Sequence, residues 1–140
     1  MITGFTISKV EGTIASADAL SKQRFPKLNV NLDNVSSKGD KINVEYTFMA
    51  DYSDGEEKSA KSVGQIKLGG TIEISESKEA TAAVLKRWNE NHTLPVNLAE
   101  EVINGLNFRC SATGTLVAYS LGLIPPLVIS QTKIQEEPKK

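Results

Sequence analysis

About halfway along the chain the spacing of apolar residues changes period, and that change orders the secondary structure. Up to Ile74 apolar residues recur at every second position, as in a strand with one buried face, and beyond it at every third or fourth, as in a helix with one buried stripe. Leu28, Val30 and Leu32 alternate with Lys27, Asn29, Asn31 and Asp33, and Ile42, Val44, Tyr46 and Phe48 alternate with Asn43, Glu45 and Thr47. The turn-rich interval Ser36-Ser37-Lys38-Gly39-Asp40 predicts a hairpin between these two strands. A second turn, Asp51-Tyr52-Ser53-Asp54-Gly55-Glu56, leads into Ile66, Leu68, Gly70, Ile72 and Ile74, a further antiparallel neighbour. Upstream, Phe5 and Ile7 share one parity while Val10, Gly12 and Ile14 take the other, so a bulge is expected near Lys9. Ser16 to Phe25 is an irregular crossover carrying Leu20 and ending at Pro26.

After Ile74, Ser77 is placed to cap a helix with Glu79 in its first turn, and Ala80, Val84 and Trp88 give it one apolar stripe to about Asn89. Asn91-His92-Thr93-Leu94-Pro95 breaks this helix. Asn97 followed by Glu100 resembles a capping box, and Leu98, Val102, Leu106, Cys110, Val117 and Leu121 trace a long second helix that Gly122 ends before Pro125. Leu127-Val128-Ile129 reads as extended. The expected fold is α+β, a four-stranded antiparallel sheet followed by a short and a long helix. At 140 residues one core is affordable and two are not, so residues 1–134 form one domain and 135–140 a flexible tail.

Charge and cysteine content narrow the surroundings. Sixteen Lys plus Arg against seventeen Asp plus Glu leave no electrostatic footprint for nucleic acid or an anionic membrane. The single cysteine, Cys110, excludes an internal disulfide, and Met1-Ile2-Thr3-Gly4-Phe5 lacks the basic and apolar regions of a secretory signal. A reducing, cytoplasmic setting is expected, in which the sequons at Asn34 and Asn91 carry no meaning. Between Arg109 and Lys133 no charged residue occurs, but Ser111, Thr113, Thr115, Ser120 and above all Pro125-Pro126 argue against insertion into a membrane.

Catalytic chemistry finds little support. The one histidine, His92, and Cys110 lie far apart in sequence, the first beside a loop proline and the second on an apolar stripe. With one His and one Cys a zinc site would depend on carboxylates, so no metal is expected. Glu56-Glu57, Glu100-Glu101 and Glu136-Glu137 sit in a turn, a first helical turn and a tail, where acidic groups are ordinary. Gly69-Gly70 lies inside a strand pattern and lacks the Gly-Lys-Ser/Thr of a phosphate loop. A binding protein fits better than an enzyme.

Taken in order, Phe5-Thr6-Ile7, the run from Pro26 to Asp33 with Ser36-Ser37 behind it, Gly69-Gly70-Thr71-Ile72-Glu73-Ile74, Leu94-Pro95 before Val102-Ile103, and Ile124-Pro125-Pro126-Leu127 resemble the SecB chaperone family over nearly the whole chain. The resemblance implies a dimer of dimers assembled through strand one and the first helix, which assigns Phe5, Ile7, Ala80 and Val84 to subunit interfaces. A first helix packed on its own sheet explains Ala80 and Val84 equally well. It further implies an ATP-independent holdase, with no cofactor, that binds unfolded or precursor polypeptides in an apolar groove for export, or holds one dedicated client such as an antitoxin. Leu20, Phe25, Trp88, Leu94 and Leu127 are the candidate groove residues, Phe25 aligning with an aromatic before proline in the family; each also reads as ordinary core. The chain departs from the family's strongly acidic members in being nearly neutral, which puts binding of a SecA-type translocation motor in doubt. Its interval between Leu94 and Leu127 also exceeds the family's usual spacing, as in a divergent branch. Two other readings stand beside this one: a small-molecule carrier with an apolar cavity between sheet and long helix, and an adaptor subunit with no groove.

Overall fold

A computed structural model describes residues 1–55 and 59–127. Four strands, β1 (Ile2–Ile14), β2 (Lys27–Lys38), β3 (Lys41–Ser53) and β4 (Ser62–Ser75), precede two helices, α1 (Lys78–Asn91) and α2 (Val96–Leu121). The strands form one antiparallel sheet in the order β1-β4-β3-β2. The expected fold class therefore holds. The crossover between β1 and β2 contains a 3-10 turn at Asp18–Lys22. Glu56-Glu57, Val128-Ile129, Glu136-Glu137 and the expected tail lie outside the described residues.

The alternating residues do what their period requires. Ile42, Val44, Tyr46, Phe48, Ala50 and Tyr52 of β3 are buried, as are Ile66, Leu68, Ile72 and Ile74 of β4. The opposite face is polar and mixed in sign, with Glu11, Glu45, Asp51 and Glu73 interspersed with Lys9, Lys41 and Lys67. Lys41 Nζ donates to Glu73 Oε1 at 2.8 Å and Lys9 pairs with Glu11 at 3.2 Å. The expected bulge in β1 is present as a register shift between Ile7 and Lys9, and it turns Val10 and Gly12 toward the helices. A second shift between Leu32 and Asn34 does the same for Val35; Asp33, left out of register there, accepts from Thr47 Oγ1 at 2.6 Å. The hairpin turn is tighter than expected: Ser36 and Ser37 are still in β2, opposite Asn43 and Ile42, and only Gly39-Asp40 turns.

The helices cover one face. Ser77 caps α1 as expected, its Oγ accepting from Ala80 N–H at 3.2 Å, and Val84 and Trp88 are buried in the chain's own core with α1 lying over β2. The capping box expected at Asn97 is absent. Pro95 is the N-cap, its fixed φ leading directly into the helix, and Asn97 lies inside the first turn. α2 runs along the edge strand β1 in the same direction: Arg109 lies 5.4 Å above the Phe5 ring, and Val117 and Leu121 sit over Gly12. A Cβ at Gly12 would come within 2.8 Å of Val117 and 2.6 Å of Leu121, so glycine there lets helix and strand touch. Gly122 ends α2 in the left-handed region at φ 78°. No helix among the described residues is long and apolar enough to cross a membrane.

Gly70 is the tightest point of the sheet. A Cβ there would overlap the Thr6 carbonyl and lie 2.9 Å from the Tyr46 hydroxyl, which itself donates to Thr6 O at 2.9 Å. Gly70→Ala is expected to destabilise the fold by about 1–3 kcal/mol as overpacking against backbone. Gly105→Ala, whose new methyl meets Ile2 Cδ1 at an ordinary 3.5 Å inside α2, is expected to stabilise it by about 1 kcal/mol. Urea midpoints of the two variants check both signs.

Burial also makes the core sensitive to alkali. Burial pushes the Cys110 thiol from 9.0 up to about 12 and the Tyr52 phenol from 10.0 up to about 12. Both are acids raised on folding, so their contribution to stability is complete below pH 9 and is lost as pH climbs from 9 through 12. The urea midpoint should be flat between pH 7 and 9 and fall steeply above 10, with a shallower fall in Cys110→Ala. A midpoint unchanged to pH 11 contradicts this.

Candidate functional site

In its C-terminal half α2 is apolar on more than one side. Cys110 and Ala118 are buried in the core and Gly114 is buried against Pro126, whereas Phe108, Leu116 and Tyr119 point outward with exposures of 74%, 72% and 86%. Positions 108, 112, 116 and 119 advance by four, four and three, so Phe108, Ala112, Leu116 and Tyr119 lie on one side of the helix. Apolar residues all round a helix normally mean burial on every side; here one side meets solvent.

The crossover and the segment after α2 each carry an exposed apolar residue as well. Phe25 is 57% exposed and Leu127 55%. Phe25 is turned out because its neighbour Pro26 is the buried residue of the pair, while Arg24 N–H bonds Ser53 O at 3.0 Å to fix the crossover on β3. Leu20 is half-buried against Gly122. The Gln23 carboxamide joins the two segments: Nε2 donates to Leu20 O at 3.0 Å and Gly122 O at 2.9 Å, and Oε1 accepts from Ile124 N–H at 2.7 Å. Tyr52 Oη donates to Ile124 O at 2.6 Å.

Trp88, 8% exposed, and Leu94, 5%, lie in the core. Their apolar character is spent on the chain's own sheet. Leu94 forms the floor of a groove of about 390 Å³ beside the free edge of β2, with Val30, Leu32 and Val96 and with Arg87 and His92 at its rim. A second groove of about 300 Å³ between the helices is walled by Ala80, Val84, Pro95 and Leu98, so Ala80 is at a rim and Val84 behind it. Phe5 and Ile7 are half-buried beneath α2. Both grooves open to solvent.

Phe108, Leu116 and Tyr119 were not expected from sequence, although their own spacing carries the signal: a second apolar stripe on a helix whose first stripe already fills the core. The candidate nucleophile does not gain by the fold. Cys110 is buried beside Tyr46 and held as a thiol by burial, and His92 lies at the C-cap of α1 with Nδ1 2.9 Å from Trp88 O and its ring 5.4 Å from the indole. Among the described residues no group of three or more His, Cys, Asp and Glu side chains is arranged to hold a metal. The arrangement offers apolar surface, edge backbone and shallow grooves, and these are means of binding.

No protein-family model matches the sequence, and no curated protein matches it. Among solved structures the fold is similar to that of the SecB-like chaperone Rv1957 of Mycobacterium tuberculosis in complex with a ChAD peptide from the Rv1956 HigA1 antitoxin, with a TM-score of 0.54 and 11% identity over 99% of this chain and 92% of that one. The likeness at that identity is one of fold, and the chain has the SecB-like arrangement of a four-stranded antiparallel sheet followed by two helices.

Proposed function

We propose that the chain is a holdase: it binds non-native polypeptide segments, without ATP or another cofactor, on the apolar surface made by the outward side of α2, the crossover and the segment after α2. The observation that carries this reading is the row Phe108, Leu116, Tyr119 on one side of α2, which, Met1 aside, are the three most exposed large apolar residues among the described residues. Unfolded segments offer apolar side chains and unpaired backbone, and open aromatic surface accepts many sequences at small entropic cost. A small-molecule carrier needs a cavity enclosing most of its ligand, and the grooves described above are open instead. Because the similar chaperone is bound to an antitoxin peptide, we infer a dedicated client of that kind, an antitoxin segment, ahead of export precursors at large. The mixed charge of the outer sheet face gives a SecA-type motor no acidic platform, and a cytoplasmic setting is part of the proposal.

We also place self-association at the β1 edge. Ala15 N–H bonds Val63 O at 2.8 Å, and Thr13 and Glu11 pair with Gln65 and Lys67 in the same register. By the alternation of an antiparallel ladder, Val10, Gly12 and Ile14 then turn their N–H and C=O groups to the free edge. A second copy pairing antiparallel about Val10 would satisfy the groups of Val10 and set each Lys9 opposite the other copy's Glu11. In light scattering, Lys9→Glu is expected to weaken such a dimer several-fold and Lys9→Glu/Glu11→Lys to restore it. A wild-type monomer at all concentrations removes this interface.

The client surface is tested by adding the chain during dilution of chemically unfolded, reduced carboxymethylated α-lactalbumin, and by titrating a labelled antitoxin-type apolar peptide. Equimolar wild type should suppress light scattering or bind the peptide. Phe108→Ser/Leu116→Ser/Tyr119→Ser, with an unchanged urea midpoint, should bind at least tenfold more weakly, since apolar anchors at a binding surface contribute on the order of 1–2 kcal/mol each. Equal binding by wild type and triple variant overturns the assignment of α2, and no binding of either probe by wild type overturns the function.

A further inference from the structure

We propose that Gln23 is a positioning residue, a latch that holds the crossover and the segment after α2 in one fixed arrangement and thereby sets how tightly a client binds. The inference rests on the client surface proposed above.

One side chain spans the two segments. The Gln23 carboxamide bonds Gly122 O and Ile124 N–H across 99 and 101 residues of sequence, while its remaining bond, to Leu20 O, closes the crossover's own turn. Donor and acceptor both act, and every partner is a backbone group, so the contact specifies the path of two chain segments rather than the choice of a neighbouring side chain. Neither segment has a regular ladder there: the crossover is a 3-10 turn followed by irregular chain, and residues 123–127 belong to no helix or strand. Further ties hold each segment to the body of the fold: Tyr52 Oη to Ile124 O, Leu123 N–H to Ala118 O at 2.9 Å, Arg24 N–H to Ser53 O, buried Leu123, and Pro126 packed at Gly114. Leu20 packed at Gly122 joins the two, but among the described residues Gln23 alone hydrogen-bonds both segments through one side chain.

The latch lies among the exposed apolar residues. Phe25 follows Gln23 on the crossover, Tyr119 precedes Gly122 on α2, and Leu127 follows Ile124. Holding Gln23 in place fixes the mutual positions of the chain segments that carry all three. A surface ordered before the client arrives does not bear the entropy of ordering on binding, so its loss is read in affinity.

Gln23→Met keeps the length of the side chain and removes all three bonds. Gln23→Glu at neutral pH keeps an acceptor for Ile124 N–H and sets a charge against the Leu20 and Gly122 carbonyls. Protonated, the same carboxyl recovers one donor and one acceptor and can span Gly122 and Ile124 again. Lys22 and Arg24, the neighbouring charges in sequence, are common to all forms.

The measurement is the affinity for labelled unfolded α-lactalbumin by fluorescence anisotropy between pH 4.5 and 7.5, with urea midpoints and amide exchange recorded alongside. At pH 7.5 both variants are expected to bind about 5- to 20-fold more weakly than wild type, and amide exchange at Ile124 to speed up. As pH falls, the affinity of Gln23→Glu should recover toward that of wild type at the same pH, while the ratio for Gln23→Met stays constant. A merely structural role would lower the urea midpoint without this pH-dependent rescue. Wild-type affinity in both variants at pH 7.5, or no difference between their pH profiles, overturns the latch. If wild type holds no client, the proposed function fails by itself, and unchanged exchange at Ile124 in Gln23→Met then overturns the latch as well.

Discussion

A single sheet with one apolar face must be covered, and among the described residues two helices do most of the covering, with Leu20 of the crossover, Leu94 between the helices and Leu123 after α2 closing the gaps. β3 and β4 carry the most deeply buried residues and lie in the middle of the sheet, between the edge strands β1 and β2. α1 takes the β2 side and α2 the β1 side. Much of the rest follows from that division. α2 can sit close on an edge strand only because Gly12 has no side chain beneath Val117 and Leu121. It spends one side of its surface there, and no further element of the described chain lies over the side carrying Phe108, Leu116 and Tyr119.

The same layering explains why both sheet edges are open among the described residues. An antiparallel sheet of this order ends in β1 on one side and β2 on the other, and neither helix closes an edge with backbone bonds. Such edges are usually protected by charge or bulges, and both devices occur: register shifts in β1 and β2, and the Lys9-Glu11 pair on β1. Open edges and open aromatic surface are the features that the proposed self-association and client binding would use.

Much of this was legible before any coordinates. Strict alternation is unambiguous when one face is fully buried, so the strands and the parity switch at Ser8-Lys9 could be read directly; a one-residue slip would have put Val10 and Gly12 on the wrong face. The Asp33 bulge escaped because Val35 follows a clean alternating run and its changed parity is a single residue. The start of α2 differs from the sequence expectation because Asn97 and Glu100 imitate a capping box, whereas Pro95 with its fixed φ already supplies the entry. For the site, periodicity tells which side of an element is apolar and is silent about what covers it. Trp88 and Leu94 are apolar and turned out to be core, Phe25 and Leu127 are apolar and lie at the surface, and nothing local distinguishes them. The Gln23 contacts join positions 101 residues apart and have no signature in spacing.

The central claim is that polypeptide binds the outward side of α2 and not the sheet. It is tested most directly by placing a photo-crosslinking amino acid at position 119 on α2, and in a second protein at position 45 on the outer sheet face, and illuminating each with an unfolded client. The account predicts a crosslinked client at position 119 and little at 45. Crosslinking at 45 equal to or above that at 119 would contradict it.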